Sequence, residues 1–446
     1  MSAFRLLRNG LRYWRAFGSR ALLREAQRRL TTPLPPGMSS LALPAPPAPS
    51  SSRAAPVPAA QLLAARFAQC AALPVFEVPR TGSLRISIVT DSINKGSLFG
   101  GVGTAMILAA MLVKARGARL RIITRTEPAQ PANLHNVLTL YGLSLDEEVE
   151  FAFAHVQAPQ AAINVFADEL FITTSWWTTE CTVASLAPAR VLYVLQEDER
   201  MFYPAGDDQL RCTRTLLDER MHVVVNTHGL LEHLVGSGLP HLQARAVAFE
   251  PAFPRDLYQR REQPPAAKRR LLFYARPNHL RNLFYFGLEV IDQAVARGIV
   301  DTAKWDILFV GAHVPAVTLC DGSVPGRHEH LAWQDYAELL GSIDVGLCLM
   351  FTPHPSYPPL DLAAAGAVVV TNRHGSKTDL SGYCENILCA ELNLASMLDT
   401  LRQAMALALD EPERARRHAA RGMCSDWSQS FAEVVARYSK AAGVWS

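Results

Sequence analysis

Two arginines five residues apart stand where an apolar run ends: Leu272-Phe273-Tyr274-Ala275-Arg276-Pro277-Asn278-His279-Leu280-Arg281-Asn282. Guanidinium forks match phosphate oxygens bidentately, so Arg276 and Arg281 read as an anion clamp. A second candidate is Pro353-His354-Pro355-Ser356-Tyr357-Pro358-Pro359-Leu360-Asp361. Its prolines hold a loop out of helix, a Leu/Ala helix opens near Asp361 and stops at Gly366, and a β-branched strand follows at 368–371. A loop that opens a helix points unpaired amides at its ligand, and anions suit that place. His354, Ser356, Tyr357 and Asp361 add polar side chains to it. Gly100-Gly101, ahead of a helix, can form a backbone nest for an anion or simply a tight turn. Glu197, Asp198 and Glu199 follow Gln196 at the end of another apolar run. Three acids there are costly if buried. Glu197 or Asp198 can take a hydroxyl proton or hold hydroxyls, and Asp91, after the first strand, is a further candidate base. Trp176 and Trp177 can stack on a ligand ring or pack inside.

The elements that must position these groups alternate. Strands are expected at 85–90, 119–124, 149–153, 169–173, 190–195, 222–226 and 245–249, with helices such as 104–115 between them. The pattern restarts with strands at 270–275, 305–310, 343–349, 367–371 and 387–390 and helices at 283–297 and 333–342. Strand alternating with helix means a doubly wound parallel sheet, here twice in tandem. Ligands of such sheets bind at the carboxyl ends of the strands, so two of them define a cleft. The expected boundaries are a basic helix and Pro/Ala-rich linker over 1–80, a first Rossmann-like domain over 81–255, a second over 256–420, and a terminal helix over 421–446 that packs back on the first domain. A hinge falls at 251–268, and Trp427 and Phe431 read as packing anchors.

Composition excludes several classes. Eight cysteines are scattered without a Cys-x-x-Cys pair, so neither a zinc cage nor a disulfide framework is indicated, and reduced thiols fit a cytoplasmic location. Residues 1–30 hold eight arginines and one glutamate, a local +7 against a whole-chain +3, which leaves −4 for the rest. The folded part is therefore not a nucleic-acid binder by charge. The arginine-rich segment, with Leu6, Trp14 and Phe17 interleaved, can lie on an anionic membrane surface, act as a solvated or partner-binding helix, or serve as a transit peptide. Residues 31–60 read as a Pro/Ala/Ser linker. The glycine pair lacks the dinucleotide spacing and no Lys-Ser/Thr follows, so neither a nicotinamide site nor a P-loop is met.

The glycine pair, Tyr-Ala-Arg-Pro with its following Arg-Asn, and Pro-His-Pro-Ser-Tyr-Pro-Pro-Leu-Asp resemble glycosyltransferases of the two-Rossmann GT-B fold. With Ser-Trp-Trp-Thr-Thr and Gln-Glu-Asp-Glu, the run from about 85 to 431 resembles the WsaF-type rhamnosyltransferases, which are similar to retaining family-4 glycosyltransferases. The resemblance implies a GT-B protein with a disordered or helical N-terminal extension. It implies a nucleotide-sugar donor, dTDP-L-rhamnose or similar, a glycan acceptor, and no cofactor or Asp-x-Asp metal site. Arg276 and Arg281 would hold the diphosphate with Gly100 and Gly101. Asp361 would replace the second glutamate of the family-4 pair, while Pro353 stands at the first. Trp176, Trp177 and Gln196 would face the acceptor. A non-catalytic glycan-binding or scaffold protein on the same fold is the alternative.

Overall fold

The strands of the first half are β1 (Val75–Val78), β2 (Arg85–Thr90), β3 (Arg119–Thr124), β4 (Glu150–Phe153), β5 (Ile163–Phe166), β6 (Leu170–Thr173), β7 (Val191–Leu195), β8 (His222–Asn226) and β9 (Ala246–Phe249). Seven of them form one parallel sheet in the order β4-β3-β2-β6-β7-β8-β9, and β1 pairs with β5 beside it. The second half contributes β10 (Arg269–Ala275), β11 (Trp305–Gly311), β12 (Gly326–Glu329), β13 (Val345–Leu347), β14 (Val368–Asn372) and β15 (Ile387–Ala390). They pair in parallel in the order β12-β11-β10-β13-β14-β15. The structure, a computed structural model, describes residues 56–94, 101–156, 162–261, 268–440 and Trp445. Residues 58–201 and 205–440 carry both sheets in one compact unit. The basic helix over 1–30, nearly all of the linker, and Gly100 lie outside the described residues.

The sequence dictates these sheets directly. Every residue of β2, β7 and β14 is buried, as a parallel strand covered on both faces requires. The helix Gly103–Arg116 is apolar nearly all round and buries Met106, Ile107, Leu108 and Leu112 against the first sheet. It ends at Gly117, which takes the left-handed conformation (φ 58°) of a helix stop. Strands β1, β5 and β12 lie outside the expected set: each is four residues, and β1 and β12 bury no residue fully, so no continuous apolar run marks them. The first sheet also carries charge where continuous apolar residues are expected. Arg121 and Arg85 are buried and both pair with the buried Glu169, Arg85 at 2.7 Å. The pairing satisfies groups that would otherwise be costly inside.

Two chain crossings join the halves. Residues 250–261 lead from β9 toward β10, and residues 420–426 lead back. They run side by side: Ala252 bridges Cys424, and Phe253 N–H donates to the Cys424 carbonyl at 2.7 Å. On the returning segment Trp427, Phe431, Val434, Tyr438 and Trp445 enter the core under the first sheet. Trp427 stacks on Phe431 with ring centroids 5.1 Å apart. No described helix is long and apolar enough to cross a membrane.

Candidate active site

The carboxyl ends of the two sheets meet, and the contact is polar. Arg281 lies in the turn Leu280–Asn282 just beyond β10. Its Nη1 is 3.4 Å from Oε2 of Glu197, which follows β7 of the other sheet. Thr352 donates its hydroxyl to the same Glu197 oxygen. The His354 ring stands 4.0 Å from the other oxygen. Tyr357 makes a second bridge: its hydroxyl is 2.7 Å from Thr104 Oγ1 and accepts from Asn226 Nδ2 at 3.0 Å. Ser376 and Gly229 add a third, at 3.2 Å. Thus Glu197, Arg281, His354 and Tyr357, far apart in the chain, share one region.

Arg276 directly follows β10 and donates to His279 Nε2 at 2.8 Å. Partial desolvation of the His279 ring, with Arg276, Arg281 and His313 beside it, pushes its pKa down to about 4, so the neutral ring serves as the acceptor that orients Arg276. His354 is buried. Its Nδ1 accepts from the Ser356 N–H at 2.9 Å, which places the ring proton on Nε2. Burial holds its pKa below the usual histidine value. His354 Nε2 and Ser356 Oγ are both buried without a hydrogen-bond partner. Ser356 caps the helix Tyr357–Ala364 with φ 69°, a left-handed conformation that a non-glycine residue adopts at a cost of about 1–3 kcal/mol. Thr227 (φ 80°) and Leu283 (φ 49°) do the same at two further helix starts beyond β8 and β10. Strained caps at three strand–helix junctions of one region mark it as specialised.

Several expectations are corrected. Asp361 is not at the helix start. It is the fifth residue of Tyr357–Ala364 and is buried among tyrosines, with Tyr336 hydroxyl 3.5 Å from its Oδ2. Burial raises its pKa to about 7, against the lowering effect of Tyr258 and Tyr336 hydrogen bonds. The helix start also offers fewer amides than a generic one, because Pro358 and Pro359 fill its second and third positions. Asp198 is not a free base: its carboxylate is held by Arg200 at 2.7 Å and lies 3.3 Å from His233. Trp176 is fully enclosed in the core and offers no face for stacking. Trp177 is half-buried and gives its Nε1–H to Asp91, 3.0 and 2.9 Å from the two oxygens. Burial raises the Asp91 pKa, and Trp177 and Arg125 oppose the rise. Gln196 is engaged within the protein: it donates to the Gly101 carbonyl, while its Oε1 accepts from Asn226 at 3.4 Å. The loop and the glutamine are packed so closely that a Cβ at Gly101 would come 3.0 Å from Gln196 Nε2.

Two further residues of this region take places that the sequence leaves open, one of the three adjacent acids and a lysine without a signal of its own. Glu199 is buried and takes the first amide of the helix Trp176–Val183 at 2.7 Å. Burial raises its pKa to about 8, so it is protonated at neutral pH. Lys377 is buried at the end of the turn His374–Lys377 and donates to the Met350 carbonyl at 3.1 Å. A lone lysine in a Gly-Ser-Lys-Thr turn carries no local signal of burial, and only the fold draws it inward.

The comparisons agree with the architecture. Residues 85–227 match the N-terminal domain of WsaF and residues 269–402 its C-terminal domain, together more than half of the chain. The O-antigen biosynthesis protein RfbC of Myxococcus xanthus is 27% identical over 319 residues, which cover 70% of this chain and 24% of RfbC. The chain thus spans about a quarter of that relative. Sucrose-phosphate synthase of Thermosynechococcus elongatus superposes with a TM-score of 0.55 at 13% identity, covering 79% of this chain and 97% of that one. Anabaena HepE, in complex with UDP and glucose, superposes with a TM-score of 0.54 at 11% identity, covering 80% and 100%. WaaG, a glycosyltransferase of lipopolysaccharide biosynthesis, gives 0.54 at 12% identity, with 79% and 98% covered. With both WsaF domains in their order and two parallel sheets meeting at their carboxyl ends, the chain belongs to the WsaF family and has the GT-B glycosyltransferase fold.

Proposed function

We propose that this protein transfers a sugar from a nucleoside diphosphate donor to a glycan acceptor in the assembly of a surface polysaccharide. The observation that carries the reading is the convergence of Arg281, Thr352 and His354 of one sheet on Glu197 of the other, with Arg276 held by His279 in the same turn beyond β10. The family and its O-antigen biosynthesis relative support it, as does the fold shared with a HepE complex that holds UDP and glucose. Within that class, the resemblance favours L-rhamnose from dTDP-L-rhamnose, transferred with retention and without a metal. The same reading places the enzyme in the cytoplasm, with residues 1–30 able to touch the inner face of the membrane.

In the reaction the bond between the sugar C1 and the phosphate oxygen breaks, and its electron pair leaves with the diphosphate. The acceptor oxygen bonds to C1, and its proton passes to the departing phosphate oxygen. Arg276 and Arg281 stabilise the charge that develops on the diphosphate, and fixed donors aimed at developing charge are usually the main source of catalysis in such a site. His354 Nε2–H and Ser356 Oγ, both buried and unpartnered, offer hydrogen bonds to the donor. Glu197, at the junction of the sheets, holds the acceptor hydroxyl. Closure of two domains over the donor limits its hydrolysis by water.

A panel of UDP, dTDP and GDP in thermal-shift assays, followed by their sugars with released diphosphate as readout, tests the proposal. Stabilisation by at least one nucleotide and turnover of its sugar are expected. No stabilisation and no turnover with any of them would refute it. The scaffold alternative is favoured by one feature, Pro353 at the position of the first family-4 glutamate. Arg276→Ala separates the two readings, because an unchanged polysaccharide in a strain that carries it supports the scaffold.

A further inference from the structure

Lys377 is buried, yet among the described residues its ammonium has a single hydrogen-bond partner, the Met350 carbonyl at 3.1 Å. An ammonium carries three N–H donors, and a buried charge is costly unless an opposite charge answers it. Glu197 is the carboxylate that acts on it, and Glu197 is already committed to Thr352 and Arg281. Lys377 in turn acts on the His354 ring, whose Nε2 is buried without a partner. Met350 begins the loop that carries Thr352, His354 and Ser356, and Asn372 braces the same residue with bonds of 2.7 and 3.0 Å. The lysine therefore lies beneath that loop, near the His354 ring and Glu197.

The turn that delivers Lys377 is built for its place. His374 and Lys377 exchange backbone hydrogen bonds at 2.9 and 3.0 Å around Gly375 (φ 55°). A Cβ on Gly375 would come 3.3 Å from the His233 ring of the first domain, and Ser376 bonds the Gly229 carbonyl. The turn is wedged between the domains, and its lysine points back under the second one. Arg281 and Lys377 thus face one carboxylate, Glu197, and the surplus is positive.

We propose that Lys377 is a third phosphate-binding cation of the donor site, contacting the diphosphate as the glycosidic bond breaks. This rests on the donor-site reading above and adds a residue to it. The bland alternative is that Lys377 only holds Met350 in place. Lys377→Gln separates them, since glutamine keeps an N–H donor toward Met350 but loses the charge. The probes are UDP, dTDP and GDP with their parent nucleosides, measured by calorimetry on the full chain. For the diphosphate that binds the wild type best, Lys377→Gln is expected to lose on the order of 10- to 100-fold in affinity, as for one charge-assisted hydrogen bond. The matching nucleoside, which lacks phosphate, should bind as before. Equal loss for diphosphate and nucleoside, or no loss for either, overturns the proposal. If the variant does not fold, Lys377→Arg and the wild-type pH series decide. The arginine variant should keep diphosphate binding, and wild-type affinity should fall above about pH 8, where a lysine so buried releases its proton. Glu197, Cys389, His354 and His374 are the other charged or titratable groups around it. Affinity that stays flat to pH 9.5 overturns the assignment. A wild type that binds none of the three diphosphates refutes the donor-site reading itself, a result distinct from a wild type that binds and a Lys377→Gln variant that binds equally well.

Discussion

Replacing Asp361 by asparagine should flatten the pH dependence of stability. The carboxyl is buried beside Tyr258 and Tyr336, and burial raises its pKa to about 7. An unfolded aspartate titrates near 3.9. Because the folded value is the higher one, the folded state holds the proton more tightly. Its contribution is fully present below about pH 4, is lost as pH rises, and stays level above about pH 7. Within that window each pH unit costs about 1.4 kcal/mol, so roughly 3 kcal/mol disappears between pH 5 and pH 7 from this residue alone. Asparagine has the same shape, accepts from the same tyrosine hydroxyls through its carbonyl, and has no proton to lose. Asp361→Asn should therefore match or slightly trail the wild type at pH 5 and exceed it by about 2–3 kcal/mol at pH 8. Urea unfolding followed by tryptophan fluorescence at pH 5, 6, 7 and 8 measures the difference. Glu199, also raised by burial, adds its own slope to both proteins and cancels in the comparison. Parallel curves for the two proteins from pH 5 to pH 8 would sink the reasoning, because they would mean that Asp361 ionises as freely in the folded state as in the unfolded one.

Other perturbations read the junction between the domains. Tyr357→Phe removes the hydroxyl shared by Thr104 and Asn226, and should cost about 1–3 kcal/mol in urea unfolding; an unchanged midpoint contradicts the bridge. Glu197→Gln should release Arg281 toward phosphate, tightening nucleoside diphosphate binding about two- to fivefold in calorimetry. The same variant should lower turnover at least about tenfold, since it loses a carboxylate that holds the acceptor. Weaker nucleotide binding in that variant would show that Glu197 does not compete for Arg281. Removing residues 1–55 should shift the protein from the membrane to the soluble fraction on centrifugation of a lysate, and a full-length chain already wholly soluble contradicts a membrane role for the basic segment.

The strands and helices of both halves were readable because parallel strands covered on two faces must be apolar throughout, and 191–195 and 368–371 are. Glycines and prolines marked where elements stop. Arg276 and Arg281 were readable as a candidate clamp because a guanidinium pair directly after an apolar strand lands at the carboxyl edge of a sheet, wherever that sheet sits. The roles of individual acids were not readable. Glu197, Asp198 and Glu199 are adjacent, and a one-residue step changes which way a side chain faces. Glu197 meets the second domain, Asp198 is taken up by Arg200 and His233, and Glu199 caps a helix in the interior. The tryptophans divide the same way, with Trp176 in the core and Trp177 on Asp91.

By itself, the sequence determined two tandem parallel α/β domains, since hydrophobic period is a local property that survives without knowledge of neighbours. It also determined the chemical types available at the strand ends. The tertiary structure alone decided which of those groups share a site. Lys377 becomes a buried cation and Asp361 a carboxyl raised toward neutrality only when distant segments exclude water from them. Burial and pairing depend on residues a hundred or more positions away, as Tyr357 does on Thr104 and Thr352 on Glu197, and no local pattern along the chain encodes that distance.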